Sequence, residues 1–133
     1  MQTKRMILAA ALVALPVMGG QRLAATGAPG HVVEVKMVKQ GGSNYRFAPD
    51  NITVQPGDTV RWIQDSDAPH NVQFDSWPKG AHLGGAQMGS YLTAPGQTYQ
   101  VVIDGRFPAG KYAYECTPHG MLGMKATLTV AAQ

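Results

Sequence analysis

The chain has 133 residues, 44% hydrophobic and 14% charged, a balance that fits one globular domain with one modest core and excludes a disordered chain. Three of its eleven basic residues, Lys4, Arg5 and Arg22, precede Ala25; the other eight match the eight acids, so from Ala25 onward the formal charge is zero despite the overall +3. Neutrality without a basic tract excludes a nucleic-acid binder.

Lys4 and Arg5 precede an uncharged apolar run, Met6 to Leu15, which Pro16 ends; the small residues Gly19, Gly20, Ala24 and Ala25 follow. This is the three-part pattern of a secretory signal. It predicts a signal peptide over 1–25, cleaved somewhere within 19–25, and a mature domain over 26–133. An uncleaved anchor is the alternative. The run falls short of the roughly 20 apolar residues that span a bilayer, so stable membrane insertion is not expected. No Cys lies near the junction, which excludes a lipid anchor there.

From His31 onward, short alternating segments follow one another between turn signals. Val33, Val35 and Met37 alternate with Glu34 and Lys36. Ile52 and Val54 share one phase, and Pro56-Gly57-Asp58 then turns the chain. Val60 and Trp62 flank Arg61, and Val72 and Phe74 flank Gln73. The stretch Ser76 to Leu92 shows no alternation and is predicted as a long connection with a helical turn. After Pro95-Gly96 come Tyr99, Val101 and Ile103; after Pro108-Ala109-Gly110 come Tyr112 and Tyr114; Ala126, Leu128 and Val130 close the series. Segments with one apolar face each pack as two sheets. The expected fold is therefore all-β, a single-domain Greek-key β-sandwich of about seven or eight strands.

Cys116 is the only Cys. A disulfide within the chain is impossible, so an exported thiol needs another role: a partner, an inert place in the core, or a metal. Its surroundings decide. Cys116-Thr-Pro-His119-Gly-Met-Leu-Gly-Met124 offers a thiolate, an imidazole and a thioether within nine residues, and Pro69-His70-Asn71 offers a second imidazole. Two His, one Cys and a weakly held Met form a blue-copper donor set. Strand phase agrees independently. Two residues beyond Tyr114 lies Cys116; two before Val72 lies His70; two before Ala126 lies Met124. Three of the four candidates thus fall on core-facing phases at strand ends, while His119 lies in the loop and can reach the surface. The copper site is expected at one end of the sandwich.

These residues, with Phe47-Ala-Pro49, Val54-Gln-Pro-Gly-Asp-Thr-Val60-Arg-Trp62, Gly110-Lys-Tyr112-Ala-Tyr114-Glu-Cys116 and the Cys-x2-His-x4-Met spacing, resemble the cupredoxins, in particular the plastocyanin and pseudoazurin branch. The resemblance runs from about Tyr45 to Val130. It implies one copper ion (Cu+/Cu2+) held by His70, Cys116 and His119 in a plane, with Met124 as a long axial contact. It implies that Asn71 fixes the ligand loop by hydrogen bonding to Thr117 or to the Cys116 sulfur, and that Pro118, lacking an N–H, leaves the thiolate one donor fewer. Plant plastocyanins carry a Tyr immediately before the ligand Cys, where this chain has Glu115. Docking of the plant kind is therefore not expected, and electrons should pass through the His119 edge, inside an apolar rim of Met121 and Leu122.

The expectation is an electron carrier, not an enzyme: a monomer in the periplasm or thylakoid lumen, exchanging electrons with c-type cytochromes, oxidases, reductases or photosystem components. A periplasmic copper metallochaperone is the alternative, motivated by Met88, Met121 and Met124. Four His in all are too few for a multicopper enzyme. Met121 is the rival axial ligand, disfavoured by phase and spacing. His31 and His82 read as solvent-exposed, Met88 as loop packing, Trp62 and Trp77 as core or rim aromatics, and Asp65, Asp67 and Asp75 as turn acids.

Overall fold

In the computed structural model, which describes residues 30–133, the period-two patterning becomes eight strands. They are β1 (Val32–Lys39), β2 (Tyr45–Ala48), β3 (Asn51–Val54), β4 (Thr59–Asp65), β5 (Gln73–Ser76), β6 (Thr98–Val102), β7 (Gly110–Glu115) and β8 (Lys125–Val130). The expected signal peptide lies outside the described residues. Strand β2 adds to the seven alternating segments. It is four residues long with one buried side chain, Phe47, too short for a period to show. The connection from Ser76 to Leu92 contains one 3-10 turn, Gly84–Gln87.

The strands form two four-stranded sheets, in the orders β2-β1-β4-β6 and β3-β8-β7-β5. Each sheet contains one parallel pair, β1 with β4 and β3 with β8; the other pairings are antiparallel. A parallel pair cannot be closed by a hairpin, so the chain crosses from one sheet to the other and staples the sandwich. Inward phases are buried as the alternation predicts: Val35 and Met37, Val60 and Trp62, Tyr112 and Tyr114, Leu128 and Val130. The waist is aromatic. Trp62 of one sheet meets Tyr114 and Phe74 of the other edge-on, with ring centroids 5.5 and 6.2 Å apart, and Phe47 meets Tyr114 at 4.9 Å. Such contacts add about 0.5–1.5 kcal/mol per pair beyond area burial.

One inward position breaks the apolar rule. Continuing the phase of Val60 and Trp62 reaches Gln64, which is as buried as they are. It sits where β4 runs out into the loop that carries His70.

Candidate metal centre

Strand ends deliver the donors. The β7–β8 ladder pairs Tyr114 with Ala126. It then continues by one more bond, from the Cys116 N–H to the Met124 carbonyl at 3.1 Å. Cys116 and Met124 therefore face each other across the two strands, both fully buried. His70 is clamped to Leu92 by two backbone bonds, its N–H donating to the Leu92 carbonyl at 3.1 Å and the Leu92 N–H to its own carbonyl at 2.7 Å.

The loop between Cys116 and Met124 closes on itself. The N–H groups of His119 and Gly120 both donate to the Cys116 carbonyl, at 3.1 and 2.7 Å, and the Met124 N–H donates to the His119 carbonyl at 3.1 Å. A 3-10 turn, Gly120–Leu122, ends at Gly123, whose φ of 93° is a left-handed value that suits glycine. Gly120 lies close to the Glu115 carboxylate, which a Cβ there would displace and which is paired to Lys125 at 3.0 Å.

Three donor atoms converge. His70 Nδ1 lies 3.5 Å from Cys116 Sγ, His119 Nδ1 lies 3.4 Å from it, and the two Nδ1 atoms are 3.1 Å apart. A point equidistant from all three lies about 1.9 Å from each, close to a metal–nitrogen bond length and somewhat short of a metal–sulfur one. Among the described residues this is the one cluster of His, Cys and acidic side chains with such convergence. Soft sulfur and borderline imidazole donors, with no carboxylate among them, suit copper.

Burial acts on the two kinds of donor in opposite directions. Burial pulls the His70 imidazole down to about 4, and the neighbouring His119 adds to the effect, against a weaker opposing pull from Asp67. At neutral pH His70 is uncharged and able to donate. Burial pushes the Cys116 thiol up, while the backbone N–H groups of Asn71 and His119 work the other way and Glu115 repels the thiolate. A bound cation overrides that balance and holds the sulfur deprotonated.

The surroundings are tied down by polar contacts. The Asn71 side chain receives the Thr117 N–H at 2.8 Å and donates to the Thr117 hydroxyl at 2.9 Å; that hydroxyl donates in turn to Gln73 at 2.8 Å. Asn71 is almost fully buried, so these bonds satisfy groups that water cannot reach. Pro118 is exposed, His119 half-buried, Met121 fully exposed and Leu122 61% exposed. His31 lies beside Asp58 and His82 is exposed, both outside the cluster. Met88 is exposed and bridges to Gln73 of β5. Trp62 is core and Trp77 is 38% exposed. Asp65 and Asp67 pair with Lys36 and Lys39 on the surface.

Three neighbours of the cluster have no motif to announce them. The ring of Tyr45 packs on both imidazoles, at 4.9 Å from His70 and 4.6 Å from His119, between centroids. The Ser66 hydroxyl lies 2.7 Å from His70 Nε2, and Gln64 lies behind Ser66. Only Gln64 leaves a trace in the sequence, as a polar residue in an inward phase.

Comparison with known proteins agrees with the donor chemistry. Residues 33–131 match the profile of the copper binding proteins, plastocyanin/azurin family. The chain is 39% identical over 100 residues to plastocyanin of Scenedesmus fuscus, covering 74% of this chain and 98% of that one. It is 36% identical over 121 residues to plastocyanin of a Synechococcus strain, covering 86% and 85%. Among solved structures, oxidised plastocyanin of Dryopteris crassirhizoma superposes with a TM-score of 0.60 at 31% identity, over 74% of this chain and all of that one. Pseudoazurin of Methylobacterium extorquens superposes with a TM-score of 0.52 at 32% identity, over 77% and 76%. A two-sheet fold that converges two imidazoles and a thiol at one end, matched along nearly its whole described length, places this chain in the plastocyanin/azurin family of copper-binding proteins.

Proposed function

We propose that the protein is an exported carrier of single electrons, in which His70, Cys116 and His119 would hold copper and the Met124 thioether would be its weakest ligand. The observation that carries this reading is the convergence of three donor atoms within 3.1–3.5 Å at the end of a rigid sandwich. Bound copper supplies a one-electron couple between its cuprous and cupric states. The chain supplies the rest. Cys116, His70 and Met124 are sealed from water, which confines access to the His119 side. The backbone bonds of the ligand loop and the Asn71–Thr117 pair hold the donors in one geometry, which keeps rearrangement between oxidation states small. His119 is the half-exposed member, and Met121 and Leu122 beside it form an apolar contact surface. Electrons enter and leave there.

Glu115 occupies the place of the plant Tyr and is turned into the Lys125 and Gly120 contacts, which supports the His119 edge as the route. The amino-terminal pattern supports export to a periplasm or thylakoid lumen. Partners are redox proteins such as c-type cytochromes, oxidases, reductases or photosystem components. Plastocyanin relatives favour this carrier over a copper chaperone, and burial of Met124 removes one of the three thioethers that motivated copper delivery.

The test is optical and electrochemical. Copper-loaded protein should show the intense visible band of a copper–thiolate bond and cycle reversibly by one electron. Cys116→Ser should bleach the band. A colourless cupric complex, or a spectrum unchanged by Cys116→Ser, sinks the proposal; ready transfer of copper to an apo-acceptor without reversible voltammetry turns it toward delivery.

A further inference from the structure

A histidine that binds metal through Nδ1 must carry its proton on Nε2, and something must accept that proton. For His70 the neighbour is Ser66 Oγ at 2.7 Å. A hydroxyl both donates and accepts, so this distance alone leaves the direction open. Gln64, one hydrogen bond beyond Ser66, biases it.

Gln64 is 1% exposed at the end of β4. Its backbone is fixed on both sides, the N–H donating to the Gln97 carbonyl at 2.9 Å and the carbonyl accepting from the Gly96 N–H at 2.8 Å. Its amide nitrogen donates to the carbonyls of Ala68 and Leu92. Its amide oxygen accepts the Ser66 backbone N–H at 3.1 Å. That last donor cannot be inverted, because a backbone N–H only donates, so the amide orientation is settled. The same oxygen lies 3.1 Å from Ser66 Oγ. That oxygen and the Ala68 carbonyl, 3.5 Å from Ser66 Oγ, only accept, so both offer the Ser66 proton a place away from His70, while the Ala68 N–H reaches the same hydroxyl at 3.5 Å. With the Ser66 proton so placed, a lone pair faces His70 and the imidazole donates from Nε2. Nδ1 then stays bare, aimed at Cys116 and His119.

We propose that Gln64 and Ser66 are positioning residues that lock His70 in the tautomer presenting Nδ1 to copper. This rests on the copper reading above. The lock also fixes the ring's rotation, because the Ala68 and Leu92 carbonyls held by Gln64 belong to the loop before His70 and to its backbone partner. A sheet position thus dictates the protonation pattern of a ligand six residues further on.

The tautomer can be read directly. Proton–nitrogen correlation spectra of the His70 ring should show a slowly exchanging Nε2–H, in the copper-free and in the cuprous protein. In Ser66→Ala that signal should broaden into exchange with water, and copper affinity should fall about tenfold, the lower end of what outer-shell losses produce. Ser66→Thr, which keeps the hydroxyl, should restore both. Gln64→Met leaves Ser66 in place but frees its proton, and should give a second His70 tautomer in the copper-free protein. An Nε2–H equally protected in Ser66→Ala, or a wild-type His70 protonated on Nδ1, overturns the lock. These spectra are independent of colour. A wild-type protein that binds copper without turning blue sinks the carrier reading, whereas a blue protein indifferent to Ser66→Ala sinks only the lock.

Discussion

The two ends of the sandwich are built from the same strands and do opposite things with polarity. Four polar or charged side chains are buried among the described residues: Asp58, Gln64, His70 and Asn71. Three of them stand at the metal end. There, burial withholds water from groups that must stay neutral, aimed and unsolvated, and each needs its own partner: Ser66, Thr117, or the carbonyls beyond Gln64. At the other end the single buried acid, Asp58, does structural work. Its two oxygens accept the N–H groups of Gln55 and His31, each at 2.8 Å, closing the Pro56-Gly57 turn and tying down the start of β1. Beside it lies an apolar hollow of about 500 Å³, lined by Ile103, Phe107 and Pro108 among others. One end spends stability on geometry; the other secures the chain. Changes at the two ends should therefore separate colour from stability.

The largest expected effect belongs to neither end. Phe74 is fully buried at the waist, between Trp62, Tyr112 and Tyr114. Phe74→Ala should lower unfolding free energy by about 3–5 kcal/mol, the usual range for a buried aromatic, as measured by denaturant titration of the copper-free protein. Below its new midpoint the variant should still turn blue, because the ligand loop is held by its own backbone bonds. Loss of colour in the folded variant would show that the metal end depends on the waist, and the contrast drawn above would fail.

Next comes Asp58→Asn. An amide has one accepting oxygen where the carboxylate has two, so one of the two N–H groups loses its partner. The expected loss is about 1–3 kcal/mol at neutral pH, with the visible spectrum unchanged. The pH dependence follows in sign. The Gln55 N–H, then His31, holds the Asp58 carboxyl below its ordinary value of 3.8, against the opposing effect of burial. The unfolded chain therefore takes up this proton more readily than the folded one. The contribution is complete above 3.8 and is lost as pH falls through the lower folded value. Thermal melts from pH 6 down to about pH 2 should show a steeper fall for wild type than for Asp58→Asn; parallel curves would remove Asp58 from the account.

The contrast between the ends also explains what could be read from residue order. Alternation exposes a strand when its inward residues are large and apolar, as with Tyr112, Tyr114 and Cys116. The same arithmetic extends to three of the four proposed ligands because those side chains continue the core phases. Strand β2 escapes because four residues with one buried side chain have no period. Gln64 breaks its phase visibly, but only the fold reveals that it faces the loop before His70. Ser66 and Tyr45 act through distances set by tertiary packing, at 2.7 Å and 4.6–4.9 Å from the imidazoles, and no spacing rule encodes those.

Tyr45 offers the finest cut. Its hydroxyl donates to Asp67 at 3.0 Å, and Lys39 pairs with the same carboxylate at the surface. That bond exchanges readily for water, and exposed ion pairs contribute little and weaken further with salt. The ring is different, since it lies against both imidazoles and fills space beside the donors. Tyr45→Phe should therefore leave melting temperature, spectrum and reduction potential nearly where they are. Tyr45→Leu removes the aromatic faces and should move the potential while changing the melting temperature only modestly. Equal shifts of potential in the two variants would mean that the hydroxyl and its charged partners set the imidazole environment, and the division between a buried, packing-controlled metal end and a solvated surface would have to be redrawn at that residue.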